Sequence, residues 1–179
     1  MTCFVTVGTT LFEDLINEVL SDQCLTELRK LGIHKLKIQI GHGNFNDAVK
    51  QKFFNNTQLD EGNSKHDDIE IEYFRFLPNL NDNMKEAMII IGHAGAGTCL
   101  EVLRLNKPFI VVINEKLMDN HQAELAMKLS EGLHLLHCTP TSLSSTISNP
   151  CLFALIPFEP ISQKRVATFI DQRMGIVRN

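Results

Sequence analysis

The sequence predicts a doubly wound α/β fold, a parallel sheet with helices on both faces. Strand-like and helix-like segments alternate along the chain, and the central strand-like runs "MIII" and "FIVVI" are almost continuously apolar, as strands covered on both faces must be. The glycine-rich stretches "GTT" (8–10), "GHGN" (41–44) and "GHAGAGT" (92–98) each follow such a run. In a parallel sheet the loops after strands gather at one edge, where ligands bind.

Each element follows from local pattern. "TCFVTV" (2–7) is a β-branched strand closed by Gly8, and "TLFEDLINEVLS" places Leu11, Phe12, Leu15, Ile16, Val19 and Leu20 on one helical face, with Thr10 and Glu13 at capping-box spacing. A second short helix ends at Leu31 before Gly32, and "KLKIQIG" then alternates Leu36, Ile38 and Ile40 as a strand. A helix is expected from Asn46 to Phe54. Residues 55–68 hold almost no apolar side chains and read as an exposed, mobile loop. "IEIEYFRF" is the third strand, "LNDNMKEA" a short helix, "MIII" the fourth strand, "GTCLEVLRL" a helix and "PFIVVI" the fifth strand. "DNHQAELAMKLSEG" forms the next helix, with Asp119 as a candidate N-cap, before a sixth strand "LHLLHC" and a weak helix starting at Pro140. The tail "PISQKRVATFIDQRMG" carries Val166, Phe169 and Ile170 on one side of a last amphipathic helix, with Lys164, Arg165 and Arg173 as a basic cluster.

At 179 residues and 44% hydrophobic, the chain suits one well-filled core. A net charge of -4 gives no basic field for nucleic acid. The first residues lack the pattern of a secretory leader, and no apolar run approaches the roughly 20 residues that span a bilayer, so a chain soluble by itself is expected. Five scattered cysteines without C-x-x-C spacing argue against a disulfide framework and a zinc site, and suit a reducing cytosol.

The glycines of 92–98 either make a tight turn or let backbone approach a ligand, and three glycine loops on one edge favour a ligand. A helix N-terminus attracts phosphate, which places an anion near Gly95, Ala96, Gly97 and Thr98. A dinucleotide fingerprint is not met: "GAGTCL" follows the fourth strand and ends in Leu100, and "IQIGHG" lacks the acidic ribose ligand. No P-loop G-K-[ST] occurs. Glu101 is either a ribose ligand in the same crevice or a solvated helix residue. His121 and Gln122 are either sugar-reading residues or an exposed first turn.

Together, "FVTVGTT", "LKIQIGHG", "IIIGHAGAGTCLE" and "RLNKPFIVVINEKLMDNHQAELA", in this order, resemble the eukaryotic catalytic subunit family of the two-chain UDP-N-acetylglucosamine transferase. The chain is also similar to the C-terminal half of GT-B glycosyltransferases, including the bacterial enzyme of lipid-linked peptidoglycan precursor synthesis. The resemblance covers residues 1 to about 138 well and the remainder weakly. It implies a Rossmann-like sugar-nucleotide-binding domain over 1–156 and a C-terminal helical tail, 157–179, available to a partner. It implies transfer of GlcNAc from UDP-GlcNAc to GlcNAc-diphosphodolichol, the second step of N-glycan precursor assembly, at the cytosolic face of the endoplasmic reticulum. Gly8, Thr9 and Thr10 correspond to a turn near the diphosphate, and Phe76 and Leu77 border the uracil. The resemblance further implies that Gly95, Ala96, Gly97 and Thr98 receive the phosphates, that Glu101 binds the ribose hydroxyls, and that His121 and Gln122 read the sugar. The sequence departs from the family at Gly92, where serine is common, and at His42, where arginine is frequent.

Inverting transfer needs a base, stabilisation of the leaving diphosphate and an acceptor site. The chain offers the second without a metal or other cofactor, since no D-x-D pair lies near these loops and "HDD" (66–68) sits in a polar loop. The acceptor site is expected on a membrane-anchored partner subunit. His93 is a candidate base, a diphosphate-orienting residue or a structural histidine. The competing functional reading is a regulatory module that binds a nucleotide sugar without turnover.

Overall fold

The computed structural model describes residues 1–116 and 121–159, the side chains of 121 and 122 excepted. Among these residues are seven strands and seven α-helices: β1 (Thr2–Thr6), α1 (Glu13–Glu18), α2 (Asp22–Lys30), β2 (Lys35–Gln39), α3 (Asp47–Phe53), β3 (Glu61–His66), β4 (Ile69–Phe74), α4 (Asn81–Glu86), β5 (Ile89–His93), α5 (Ala96–Arg104), β6 (Phe109–Val112), α6 (His121–Glu131), β7 (Leu136–Cys138) and α7 (Leu143–Ile147). The strands form one sheet in the order β3-β4-β2-β1-β5-β6-β7. Every neighbouring pair is parallel except β3 with β4. From β1 the chain winds outward through β2 to β4, then crosses to β5 on the other side of β1 and winds outward again through β6 to β7. The winding reverses between β1 and β5, which makes their C-terminal ends the switch-point crevice of a Rossmann-like sheet.

The alternation of strand side chains divides the core in two. Cys3 and Val5 of β1 join Ile89 and Ile91 of β5 against Leu15 and Ile16 of α1, Leu25 and Leu28 of α2, and Leu143 and Ile147 of α7. Phe4, Ile90 and Phe109 point to the opposite face and meet Met84 of α4, Cys99 and Val102 of α5, and Ala126 of α6. Each fully buried aliphatic or aromatic side chain of this kind contributes about 1.5–3 kcal/mol, which fixes strand register because a one-residue slip would turn both sets to the wrong face.

Three sequence expectations are corrected. The stretch 55–68 is not wholly a loop, because residues 61–66 pair antiparallel with β4 in a hairpin that turns at Asp67 and Asp68. Asp67 takes a φ of 54°, and Arg29 of α2 grips the turn through Asp67 at 2.8 Å and Asp68 at 3.0 Å. Helix α1 begins at Glu13 after Phe12 with no side-chain cap, so Thr10 and Glu13 form no capping box. Glu13 Oε1 instead accepts from the Asn44 amide at 2.9 Å, tying α1 to the loop after β2. Leu11, expected on the buried face, lies ahead of the helix and is exposed. The weak helix expected from Pro140 is present, as a 3-10 turn, Pro140–Ser142, that leads into α7. Asp119 and the tail helix expected over 160–175 fall outside the described residues. Among the described residues no helix is long and apolar enough to cross a membrane.

Candidate functional site

Parallel pairing brings the ends of β1, β2, β4 and β5 to one edge. The backbone of β1 turns at once, with the Thr10 amide donating to the Val7 carbonyl at 3.0 Å and Gly8 at a φ of 58°, and this leaves Thr9 exposed. Phe76 and Leu77 follow the end of β4 and are both exposed despite their size. Phe76 meets the His42 ring at 4.8 Å, so the loops after β2 and β4 touch at the rim.

His93 ends β5 with only 6% of its surface exposed, enclosed between two glycines. A β-carbon on Gly8 would stand 2.8 Å from its Cε1, and one on Gly95 would stand 2.3 Å from its Nε2, so both positions must be bare for the ring to fit. The sequence pointed to a ligand as the reason for these glycines, but at 8 and 95 the immediate reason is the imidazole. Burial pushes the His93 pKa below the ordinary histidine range, and the Thr6 backbone opposes this only in part. Among the described residues no group meets Nδ1 with hydrogen-bond geometry. An enclosed imidazole whose charged form is disfavoured by burial therefore lies at the switch point.

Gly97 differs: among the described residues, and leaving aside its chain neighbours and its own helix backbone, no atom lies within 4 Å of the place where its β-carbon would be. It stands in the first turn of α5, whose N-cap is Gly95, a residue with no side chain to occupy the terminal amides. Ala96 and Gly97 are exposed and Thr98 half-buried, so the positive end of the helix dipole opens toward the edge. Further along α5, exposed Glu101 lines a shallow hollow with Asn79, Asn81, Lys85, Arg104 and Leu105. The hollow borders the loop that carries Phe76 and Leu77.

The expected residues thus fall into two groups on one edge, Gly8, Thr9, Thr10, His93 and Gly95 to Thr98 around the imidazole, and Phe76, Leu77 and Glu101 around the loop after β4. His121 opens α6, but the side chains of His121 and Gln122 are not described. A different hollow, lined by Leu103, Pro108, His134, Leu152 and Phe153 among others, lies where β6 and β7 begin and holds none of these residues. Among the described residues no three His, Cys, Asp or Glu side chains group as metal ligands.

Sequence reading missed the supports beneath these loops. Gln39, the last residue of β2, is 2% exposed and donates from Nε2 to the carbonyls of Gly8 and Arg75, both at 2.8 Å. Its Oε1 accepts from the Thr6 hydroxyl at 2.7 Å, and that hydroxyl accepts from the Gly8 amide at 3.2 Å. The Arg75 guanidinium holds the carbonyls of Gly41 and Gly43 at 3.1 and 3.0 Å. In the sequence, Gln39 was one more polar position in an alternating strand.

With this geometry in hand, likeness to known proteins becomes informative. Residues 2–172 match the glycosyltransferase family 28 C-terminal domain. The UDP-N-acetylglucosamine transferase subunit ALG13 of Mus musculus is 37% identical over 161 residues, which are 90% of this chain but 13% of that protein's length. ALG13 of Saccharomyces cerevisiae is 34% identical over 161 residues and is covered, like this chain, over 77% of its length. The NMR solution structure of ALG13 superposes with a TM-score of 0.67 at 28% identity, covering 98% of this chain and 94% of that one. The chain belongs to the glycosyltransferase family 28 C-terminal domain family, within the group of UDP-N-acetylglucosamine transferase subunits named ALG13.

Proposed function

We propose that this chain is the donor-binding, catalytic subunit of an inverting transferase that moves GlcNAc from UDP-GlcNAc to GlcNAc-diphosphodolichol. The observation that carries the reading is the pairing of an uncapped helix N-terminus at Gly95–Thr98 with the enclosed His93 at the switch point, beside a hollow that contains Glu101. The amides of α5 and the hydroxyls of Thr98 and Thr9 stabilise the diphosphate as its bond to C1 of the sugar breaks. Glu101 accepts from the ribose hydroxyls, Phe76 and Leu77 flank the uracil, and His121 with Gln122 reads the sugar. No metal or other cofactor is needed in this scheme.

The acceptor hydroxyl attacks C1 from the face opposite the diphosphate and gives its proton to a base. His93 is so enclosed that orienting the diphosphate suits it better than reaching an acceptor hydroxyl. The acceptor site belongs to a membrane-anchored partner that recruits the chain to the cytosolic face of the endoplasmic reticulum, with 157–179 as the contact. The word "subunit" in the relatives' names supports a partner.

The test is titration of the chain with UDP-GlcNAc, followed by a transfer assay with GlcNAc-diphosphodolichol in membranes that supply the partner. Saturable binding by the chain, with transfer only when both are present, is the expected result. Absence of UDP-GlcNAc binding overturns the proposal, and binding without transfer in the presence of the partner would favour the regulatory-module reading.

A further inference from the structure

We infer that Gln39 is a positioning residue that holds the phosphate end and the base end of the nucleotide site in register, a role that rests on the proposed function. Its side-chain amide lies under both ends. One hydrogen bond of Nε2 goes to the carbonyl of Gly8, which abuts His93, and the other goes to the carbonyl of Arg75, which precedes Phe76 and Leu77. The orientation of the amide is fixed, because turning it over would set its oxygen against the carbonyl oxygens of Gly8 and Arg75. Thr6 closes the arrangement by accepting from the Gly8 amide, so both polar backbone groups of Gly8 are tied to it.

This arrangement leaves no slack. Gly41, at a φ of 55°, packs so closely that a β-carbon there would stand 2.8 Å from the Gly8 carbonyl oxygen. The Gly41 amide also donates to the Arg75 carbonyl at 3.2 Å. Three loops from three strands therefore meet at one buried amide, and none of its partners belongs to the apolar core. Movement of the Gly8 turn relative to the Phe76 loop requires breaking a bond that Gln39 makes.

The test compares Kd for UDP, which needs both ends, with Kd for uridine, which needs the base end alone. Both are measured at a temperature where circular dichroism shows each variant folded. Gln39→Met removes both donors and should weaken UDP and uridine alike, UDP by at least about tenfold. Thr6→Val removes the hydroxyl's bonds to the Gly8 amide and to Gln39 Oε1 but leaves both Nε2 donors in place; it should weaken UDP by about tenfold with little effect on uridine, whereas Thr6→Ser, which keeps the hydroxyl, should restore UDP binding. A folded Gln39→Met protein with unchanged affinities, or one that loses UDP and keeps uridine, overturns the inference. If Gln39→Met does not fold, equal UDP affinity in Thr6→Val and Thr6→Ser overturns it. Wild-type protein that fails to bind UDP refutes the proposed function itself, which separates that failure from this one.

Discussion

Gly95 and Gly97 stand two residues apart at the start of α5, yet an added methyl group should do opposite things at them. At Gly95 the new β-carbon meets His93 Nε2 at 2.3 Å and Cε1 at 2.8 Å. The ring cannot retreat, because the Gly8 turn closes it from the other side, where a β-carbon would meet Cε1 at 2.8 Å. Gly95→Ala is therefore an overpacking substitution, and such changes cost about 1–3 kcal/mol. For a chain of this length that lowers the melting temperature by about 2–4 °C per kcal/mol. At Gly97 a methyl group meets no described residue beyond its own helix within 4 Å and replaces a glycine in a helix, so Gly97→Ala should leave stability unchanged or raise it by up to about 1 kcal/mol. It should nevertheless weaken UDP, since the space it fills is the one assigned to the diphosphate, and Gly97→Val should abolish binding in a folded protein. Thermal and urea denaturation followed by circular dichroism measure the first effect, and calorimetric titration with UDP the second. Gly97→Ala and Gly97→Val proteins with wild-type UDP affinity would remove the phosphate assignment, and an undiminished stability in Gly95→Ala would show that the imidazole is not confined as described.

Other predictions rest on single groups. Because burial lowers the His93 pKa in the fold, its contribution to stability is complete above the ordinary value of 6.5 and is lost as the pH falls below it; urea midpoints of His93→Gln should lack that component of the decline. Glu101→Gln keeps the side chain's shape at an exposed position, so melting should hold while UDP affinity falls at least about tenfold, each lost charge-assisted bond being worth about 1.5–3 kcal/mol. A drop in melting without a drop in affinity would make Glu101 structural. Gly62→Ala brings a β-carbon to 2.5 Å from the Tyr73 ring and should cost about 1–3 kcal/mol in urea denaturation; an unchanged urea midpoint would show that β3 and β4 can shift to admit it.

The parallel core was legible because its signal is compositional. Runs such as Ile89–Ile91 and Phe109–Val112 are apolar at every position only because both faces are covered. Strand β3 was hidden for the opposite reason: "EGNSKH" has no apolar residue, and what holds it comes from elsewhere. Tyr73 packs over Gly62, Phe53 meets His66 edge to face at 5.0 Å, and Arg29 clasps the turn. The start of α1 was misread by carrying helical periodicity back through Leu11, where the Val7–Thr10 turn already commits the backbone. Pattern reading extends a period until something breaks it, and that turn is defined by a backbone hydrogen bond rather than by a residue type.

The same distinction runs through the site. Glycines 8, 95 and 97 looked alike as letters but differ in space, two making room for an imidazole and one making room for nothing among the described residues. A residue proposed to face a ligand shows in a sequence when the assigned chemistry demands an unusual residue, bare backbone at Gly97 or a carboxylate on a helix at Glu101. A support is invisible when an ordinary residue serves. Gln39 sits in "KLKIQI" as a polar residue where polar residues alternate, and only the convergence of the Gly8, Gly41 and Arg75 loops turns its amide into a tie between strands. The consequence for binding follows from which side is tied. The Gly8 turn is fastened at both its amide and its carbonyl, and Arg75 fastens the loop after β2, whereas the first turn of α5 has open space at Gly97 and no side-chain cap. One wall of the crevice is thus set before a ligand arrives, and the other presents the helix amides to which the proposed function assigns the diphosphate.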